Sequence, residues 1–398
     1  MAASGVMWLH RAASRQLAAL SQPVDGSRPD APVWQQSPGM SWQLCIDRGG
    51  TFTDVVARAP DGNLHVRKLL SGRDDGARAA APGGGPANAT VAALREAAAA
   101  GRQVAEIRLG TTLATNALLE RRGERVLLVT TRGFGDLLEI GFQDRPDLFA
   151  LAIEKRGRLH ERVLEIDERV LADGSVRRAP DEEQVRAALQ AGRSAGFDCL
   201  AVLLLHSIVH PGHELLVGRL ARELGYRHVA LSHQVSPEPG AVVRGDSTVA
   251  DAYLTPLLRR HLAEVAAAAP AARLLFMQSS GGLAEAAFAS GKDAILSGPA
   301  GGAMAVAEIA RLSGLRAVIG LDMGGTSTDV CRCAPEPERV FKTEAGGITV
   351  RAPALSIVTV AAGGGSLLRF RDGRFQAGPD SAGADPGPAA YGRGGPAT

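Results

Sequence analysis

Aromatic side chains make up only 4 % of the 398 residues, too few for a platform on which successive nucleic-acid bases could stack. Charge of one sign is equally scarce. Lys and Arg number 44 against 42 Asp and Glu, a net charge of +2, so neither a nucleic-acid partner nor attraction to an acidic membrane surface is expected. The four cysteines, Cys45, Cys199, Cys331 and Cys333, cannot form a disulfide framework across a chain of this size. That suits a reducing, cytoplasmic location, and the C-x-C pair reads as packing residues. Long apolar runs are missing too. The longest, Cys199 to Leu205, falls far short of the roughly 20 residues a membrane-spanning helix needs. Acidic residues are absent before Asp25, where Arg11 and Arg15 stand among Ala and Ser. Transit peptides share that composition, as does an upstream start in an Ala/Arg-rich frame. The second reading is favoured because Met40 directly precedes the first strand pattern. Residues 1–39 are therefore expected to be a disordered extension.

Glycine, by contrast, is abundant, with 48 residues, and one glycine-rich loop occurs twice. The copies are Asp47-Arg48-Gly49-Gly50-Thr51-Phe52-Thr53-Asp54 and Asp322-Met323-Gly324-Gly325-Thr326-Ser327-Thr328-Asp329. Each follows a short apolar run and leads into valine, Val55 or Val330, which predicts a repeated strand, turn, strand unit. Paired glycines lack Cβ atoms and let backbone N–H groups approach an anion. Gly49, Gly50, Gly324 and Gly325 are therefore candidates to surround phosphates, with Thr51 and Thr326 adding hydroxyl donors. Asp47 and Asp322 stand at strand ends, where they could hold a hydrated divalent cation. A single Gly-Gly between strands is ordinarily a hairpin turn. Two matched copies so far apart point instead to two related halves closing on one nucleotide. Thr53 and Thr328 join the candidate cofactor-binding set, although they and Asp54 and Asp329 also suit bracing of the turns.

At this length two or more domains are expected, and alternating strand and helix patterns indicate an α/β class. Strands are predicted at Trp42–Ile46, Phe52–Ala57 and Leu64–Leu70, then a Gly/Ala-rich loop over Gly72–Pro86 and a helix over Ala87–Ala100. Further helices are predicted over Asp181–Ala195 and Pro211–Leu224. The Pro- and Gly-bearing stretch His233–Gly240 marks a boundary between domains at 40–232 and 241–398. Beyond it, two helical segments are expected to flank Thr255-Pro256, with Thr255 capping the second. Leu296–Gly302 precedes a helix predicted over Ala303–Leu312. Its glycines could meet an anion at a helix N-terminus or allow close helix packing. Gly363, Gly364 and Gly365 form a third cluster, a candidate nucleotide contact. His206, His210 and His213 bracket Pro211; capping or surface roles outweigh a metal role there.

Taken together, the two loops resemble the phosphate elements of the actin, sugar kinase and Hsp70 ATPase superfamily. Within it the chain is most similar to the hydantoinase A/5-oxoprolinase family. The motifs carrying this are the first loop, Gly110-Thr111-Thr112-Leu113-Ala114-Thr115-Asn116, Thr131-Arg132-Gly133-Phe134, Phe276-Met277-Gln278-Ser279-Ser280-Gly281-Gly282, Ser297-Gly298-Pro299-Ala300-Gly301-Gly302 and Ser381-Ala382-Gly383-Ala384-Asp385-Pro386-Gly387-Pro388. Ile140–Phe149 and Asp251–Pro256 look closer to the 5-oxoprolinase branch than to the acetone carboxylase branch. The resemblance implies an actin/sugar kinase/Hsp70-like ATPase fold with two related lobes, the second C-terminally incomplete here because family members run well beyond this length. It also implies ATP and Mg2+ as cofactors, with K+ left open.

The reaction implied is opening of 5-oxo-L-proline to L-glutamate. Amide resonance makes a lactam carbonyl a poor electrophile; phosphorylating the amide oxygen gives an imidate that water can attack. The protein's part is positioning and charge neutralisation. Asp47 and Asp322 are the expected catalytic and metal-shell residues, and Arg145 is a candidate partner for a substrate carboxylate. A hydantoinase B-like domain or subunit, and an oligomer, are the implied partners; the isolated chain is expected to bind ATP weakly. Alternatives are a hydantoin hydrolase, an acetone carboxylase-like subunit, or a nucleotide-binding module without turnover. The chain departs from the family pattern at Gly72–Pro86 and at Ala390.

Overall fold

The computed structural model describes residues 41–50, 52–71, 89–143, 149–152, 155, 157–371, 373–383 and 386–398. The expected extension at 1–39, the loop at 72–86, Thr51 and Arg145 lie outside the described residues.

Alternation of apolar and polar residues sets the first strands. In β1 (Trp42–Arg48) Leu44, Ile46 and Arg48 are buried on one face, while Cys45 and Asp47 point to the other, as strand geometry requires. β2 (Phe52–Arg58) and β3 (Leu64–Leu70) continue an antiparallel meander. Helix α1 (Ala89–Ala99) follows, then β4 (Val104–Thr111), which lies parallel to β1. After the short α2 (Leu113–Leu119) the chain forms a second sheet. Its strands are β5 (Val126–Thr131), β6 (His160–Ile166), β7 (Cys199–Leu203) and β8 (His228–Leu231), all parallel, in the order β8-β7-β5-β6. β5 and β7 are buried along their whole length, which explains their unbroken apolar runs. Helices α3 (Glu182–Ser194) and α4 (Gly212–Glu223) share a core with this sheet. Asp181 caps α3 by accepting a hydrogen bond from the Gln184 N–H at 3.0 Å, with Glu182 and Glu183 in the first turn.

Helix α5 (Ala241–Ala268) is a single 28-residue element with Pro256 inside it, correcting the expectation of two helices parted at Thr255-Pro256. Thr255 does not cap. Its hydroxyl donates to Asp251 Oδ1 at 2.8 Å and accepts the Gly291 N–H at 2.8 Å. Helix interiors tolerate proline when packing compensates the lost backbone bond, and α5 is buried along most of its first four turns. Beyond α5, β9 (Arg273–Met277) inserts parallel to β4 and pairs with β10 (Leu283–Glu285). The first sheet thus runs β10-β9-β4-β1-β2-β3. One core cluster gathers Leu44, Leu109, Leu254, Phe276 and Val350, so both sheet and core run across the segment 233–240. Truncating the fully buried Phe276 to Ala would cost about 3–5 kcal/mol.

Helix α6 (Ser297–Leu312) then leads to a third sheet of β11 (Val318–Met323), β12 (Thr328–Cys333) and β13 (Ile357–Val360), all antiparallel. α6 starts six residues before the predicted Ala303, so Gly298, Gly301 and Gly302 lie within it. It packs on β11 and β12 and also touches β4 and β1. Cys331 and Cys333, two apart and so on one face, are buried against it with Ala300 and Ala303. A last hairpin, β14 (Ser366–Arg371) with β15 (Arg374–Ser381), follows β13.

Candidate functional site

The two glycine loops close hairpins of the same register. In the first, Asp47 pairs with Asp54 and Arg48 with Thr53; in the second, Asp322 pairs with Asp329 and Met323 with Thr328. Each turn is fastened by one backbone bond of 2.9 Å, from Gly49 N–H to the Phe52 carbonyl and from Gly324 N–H to the Ser327 carbonyl. The third strand repeats as well. Asp54 faces Lys68 on β3, and Asp329 faces Thr359 on β13.

What holds the loop carbonyls decides where the loop N–H groups point. In the first loop the Ser71 hydroxyl donates to the Gly49 carbonyl at 2.8 Å. In the second, Gly364 N–H donates to the Gly324 carbonyl at 2.9 Å and Gly365 N–H to the Gly325 carbonyl at 2.7 Å. Across a trans peptide the carbonyl and the following N–H point in opposite directions. The N–H groups of Gly50, Gly325 and Thr326 are therefore turned away from these anchors. The third glycine cluster thus differs from its expected role. The N–H groups of Gly364 and Gly365 are spent on the second loop, and that of Gly363 goes to Ser366 Oγ at 2.9 Å. A Cβ at Gly363 would lie 2.8 Å from the backbone of Gly324 and Gly325, so close backbone approach explains the glycine.

Asp47 and Asp322 meet at one helix. A Cβ at Gly298 would come 3.6 Å from Asp47 Oδ1, and one at Gly302 would come 3.7 Å from Asp322 Oδ2. The glycines of α6 therefore leave room beside both carboxylates. Ser297 fixes this helix start, its hydroxyl accepting the Thr111 N–H at 3.2 Å. Thr112 N–H in turn donates to the Arg48 carbonyl at 3.0 Å, tying the end of β4 to the first loop.

Asp47 Oδ1 is buried and has no hydrogen-bond partner. Burial, with Asp54 and Asp322 nearby, pushes the Asp47 carboxyl up to about 7. Burial also raises Asp329, and Asp322 adds to this; the Thr359 hydroxyl, donating at 2.6 Å, works against it. A hydrated divalent cation beside Asp47 and Asp329 would favour their charged forms. Mg2+ typically needs only one or two carboxylates, the rest of its shell being water and phosphate. The donor set fits that demand, while no protein-only cage of three or more ligands forms among the described residues.

Thr53 and Thr328 act as braces. Thr53 Oγ1 is buried, 2.9 Å from Ser71 Oγ, and Thr328 Oγ1 donates to the Ala362 carbonyl at 2.6 Å. Asp54 accepts from Lys68 Nζ at 2.9 Å on both oxygens. Ser71 and Lys68 were not singled out from sequence, because their roles depend on strand pairing, whereas Gly298 and Gly302, expected to precede a helix, lie within α6 beside the two carboxylates. His213 also departs from expectation. It is buried, its Nδ1 2.6 Å from Glu168 Oε2, and it serves the core of the parallel sheet.

A mixed α/β framework of this kind is shared with solved structures. The chain superposes on the ATP-dependent caprolactamase from Pseudomonas jessenii with a TM-score of 0.72 and 31 % identity, covering 89 % of this chain and 53 % of that one. A nucleotide-free acetone carboxylase gives a TM-score of 0.69 at 23 % identity over 86 % of this chain and 51 % of that one, a likeness of fold alone. Residues 43–225 match the hydantoinase/oxoprolinase N-terminal region and residues 244–398 the hydantoinase/oxoprolinase region that follows it. The chain belongs to the hydantoinase/oxoprolinase family. Among curated relatives, 5-oxoprolinase 1 of Arabidopsis thaliana is 44 % identical over 397 residues, covering 89 % of this chain. The chain spans only about 30 % of the length of that relative.

Proposed function

We propose that this chain carries the nucleotide-handling part of an ATP-dependent cyclic-amide hydrolase, acting on 5-oxo-L-proline to give L-glutamate. The observation that carries the reading is the matched pair of Asp-x-Gly-Gly-Thr hairpins meeting at α6 beside a buried, unpartnered carboxylate oxygen. On this reading the sheets of β1–β3 and β11–β13 head two related lobes of an actin/sugar kinase/Hsp70-like ATPase. The N–H groups of Gly50, Gly325 and Thr326, with the Thr326 hydroxyl, would meet phosphate oxygens, and the sequence repeat assigns Thr51 the same role as Thr326. Asp47 and Asp322 would hold Mg2+ through its water molecules. When bound, ATP supplies the phosphoryl group that activates the amide oxygen. The chain's own residues orient the phosphates, offset their charge and keep the loops rigid. The plant 5-oxoprolinase at 44 % identity favours 5-oxoproline, and the caprolactamase at 31 % supports a lactam more broadly. A hydantoinase B-like domain or subunit completes the enzyme.

The test measures phosphate and amino-acid release from 5-oxoproline, caprolactam and hydantoin, with Mg-ATP, with and without K+ and a hydantoinase B-type partner. Glutamate formed one-to-one with phosphate is the expected result. Absence of lactam-dependent phosphate release in the complete assembly would overturn the reading.

A further inference from the structure

The internal repeat identifies a docking face on the third sheet. Setting Asp322 on Asp47 places Ile319 on Leu44, Leu321 on Ile46 and Met323 on Arg48. The third strands follow suit, with Val360 taking the place of Leu69. In the first sheet this face is covered. Leu44, Ile46 and Val55 share a core with Val91 and Leu94 of α1 and with Leu258 and Leu262 of α5. In the third sheet the corresponding face is open, with Ile319 75 %, Leu321 70 % and Val358 63 % exposed. The other face of that sheet already packs on α6.

From this we infer that the face formed by Ile319, Leu321, Met323, Val358 and Val360 docks the apolar side of an α-helix, in the place that α1 and α5 take on the first sheet. Three observations fix the kind of occupant. The face is a patch of β-branched and long aliphatic side chains with one ion pair at its edge, Arg332 opposite Ile319 bonding Glu338, which favours an apolar helix stripe over a highly charged peptide. Its two hairpin strands and third strand keep the registers of the helix-covered sheet. The plant relative carries further polypeptide beyond the 30 % of its length that this chain spans, and that polypeptide is the occupant. The inference is independent of the substrate proposed above, since it rests on packing alone.

Labelling tests it. Leu321→Cys and Val358→Cys, each in a Cys45→Ser background, should react rapidly with a maleimide in the 398-residue chain. When the remainder of the plant 5-oxoprolinase is joined after Thr398 or co-expressed, the rate should fall at least 10-fold. Leu64→Cys on β3, also exposed, should stay fast in both. A Leu321→Glu/Val358→Glu double variant should retain its circular dichroism spectrum and bind the co-expressed remainder at least 10-fold more weakly. Unchanged labelling in the joined chain would overturn the inference, as would unimpaired binding by the double variant. Slow labelling in the 398-residue chain with a dimer in sedimentation would assign the face to a second copy and equally overturn it.

Discussion

Two sheets built to one register differ in what lies opposite one aspartate in each. In the first, Asp54 faces Lys68, a full counter-charge at 2.9 Å; in the second, Asp329 faces the neutral Thr359 hydroxyl at 2.6 Å. Arg48 beside the first loop is buried against His261 at 3.4 Å, whereas its counterpart Met323 is half exposed. The first half thus sets a lysine against Asp54 and covers its sheet with helices, while the second sets only a hydroxyl against Asp329 and leaves one face open. A repeat can preserve backbone geometry while its halves divide the labour, one serving as scaffold and the other as the surface where further groups arrive.

The largest expected effect comes from removing the carboxylates that the repeat places in equivalent positions. Asp47→Ala or Asp322→Ala should each lower Mg-ATP turnover of the complete assembly by about 100-fold or more, with a cooperative melt retained. If the Asp47 variant loses Mg-ATP affinity in calorimetry while the Asp322 variant keeps it, the loops are not functional equivalents. For Asp47→Asn, the melting temperature of the ligand-free chain should not fall, because an unpartnered buried charge is exchanged for a neutral amide.

Acid stability should separate the halves next. Burial, with Arg48 adding to it, pushes His261 down to about 3. A histidine that protonates more readily when unfolded supports the native state fully above its ordinary value of about 6.5, and that support is lost as pH falls toward the folded value. The loss should reach about 3 kcal/mol at pH 4. His261→Gln keeps an acceptor for Arg48 but gains no proton, so its urea midpoint should fall less between pH 6.5 and 4 than that of the parent. Equal slopes would show that His261 is not the group responsible.

Smaller effects sharpen the comparison at the loops. Gly363→Ala forces a Cβ to 2.8 Å from the second loop's backbone and should cost about 1–3 kcal/mol in chemical denaturation, while weakening nucleotide binding. Lys68→Met, which removes the ammonium bonded to a largely buried Asp54, should cost about 2 kcal/mol. Thr359→Val should cost about 1 kcal/mol. Equal costs for the last two would erase the proposed electrostatic difference between the sheets.

Local features were legible in the sequence. Both loops, the three strands of the first meander and helices such as α3 and α4 appear within a few residues of their predicted spans, because apolar period, glycine pairs and caps act over short distances. Features set by distant partners were not. Nothing near Arg273–Met277 signals that it joins β4, and Pro256 looks like a break until Asp251, Thr255 and Gly291 are brought together. Glycines 298, 301 and 302 read as a loop because their helix is secured from outside, by Thr111 on Ser297 and by Ser279, which accepts the Leu296 N–H at 3.0 Å. For the candidate site, the aspartates and loop glycines were evident from repetition alone, whereas Ser71 and Lys68 emerged only once β3 was paired with β2.

Gly298 and Gly302 stand one helical turn apart, and a helix advances about 6 Å over four residues. Because each faces one of the two aspartates, α6 works as a ruler lying across both hairpins. Rotation of one half about this rod would change the tilt between the loops while leaving their spacing along it fixed. Inserting or deleting a single residue between Gly298 and Gly302 would turn one of them by about 100° around the rod and present a side chain to a carboxylate. The ruler therefore tolerates bending better than it tolerates a change in length.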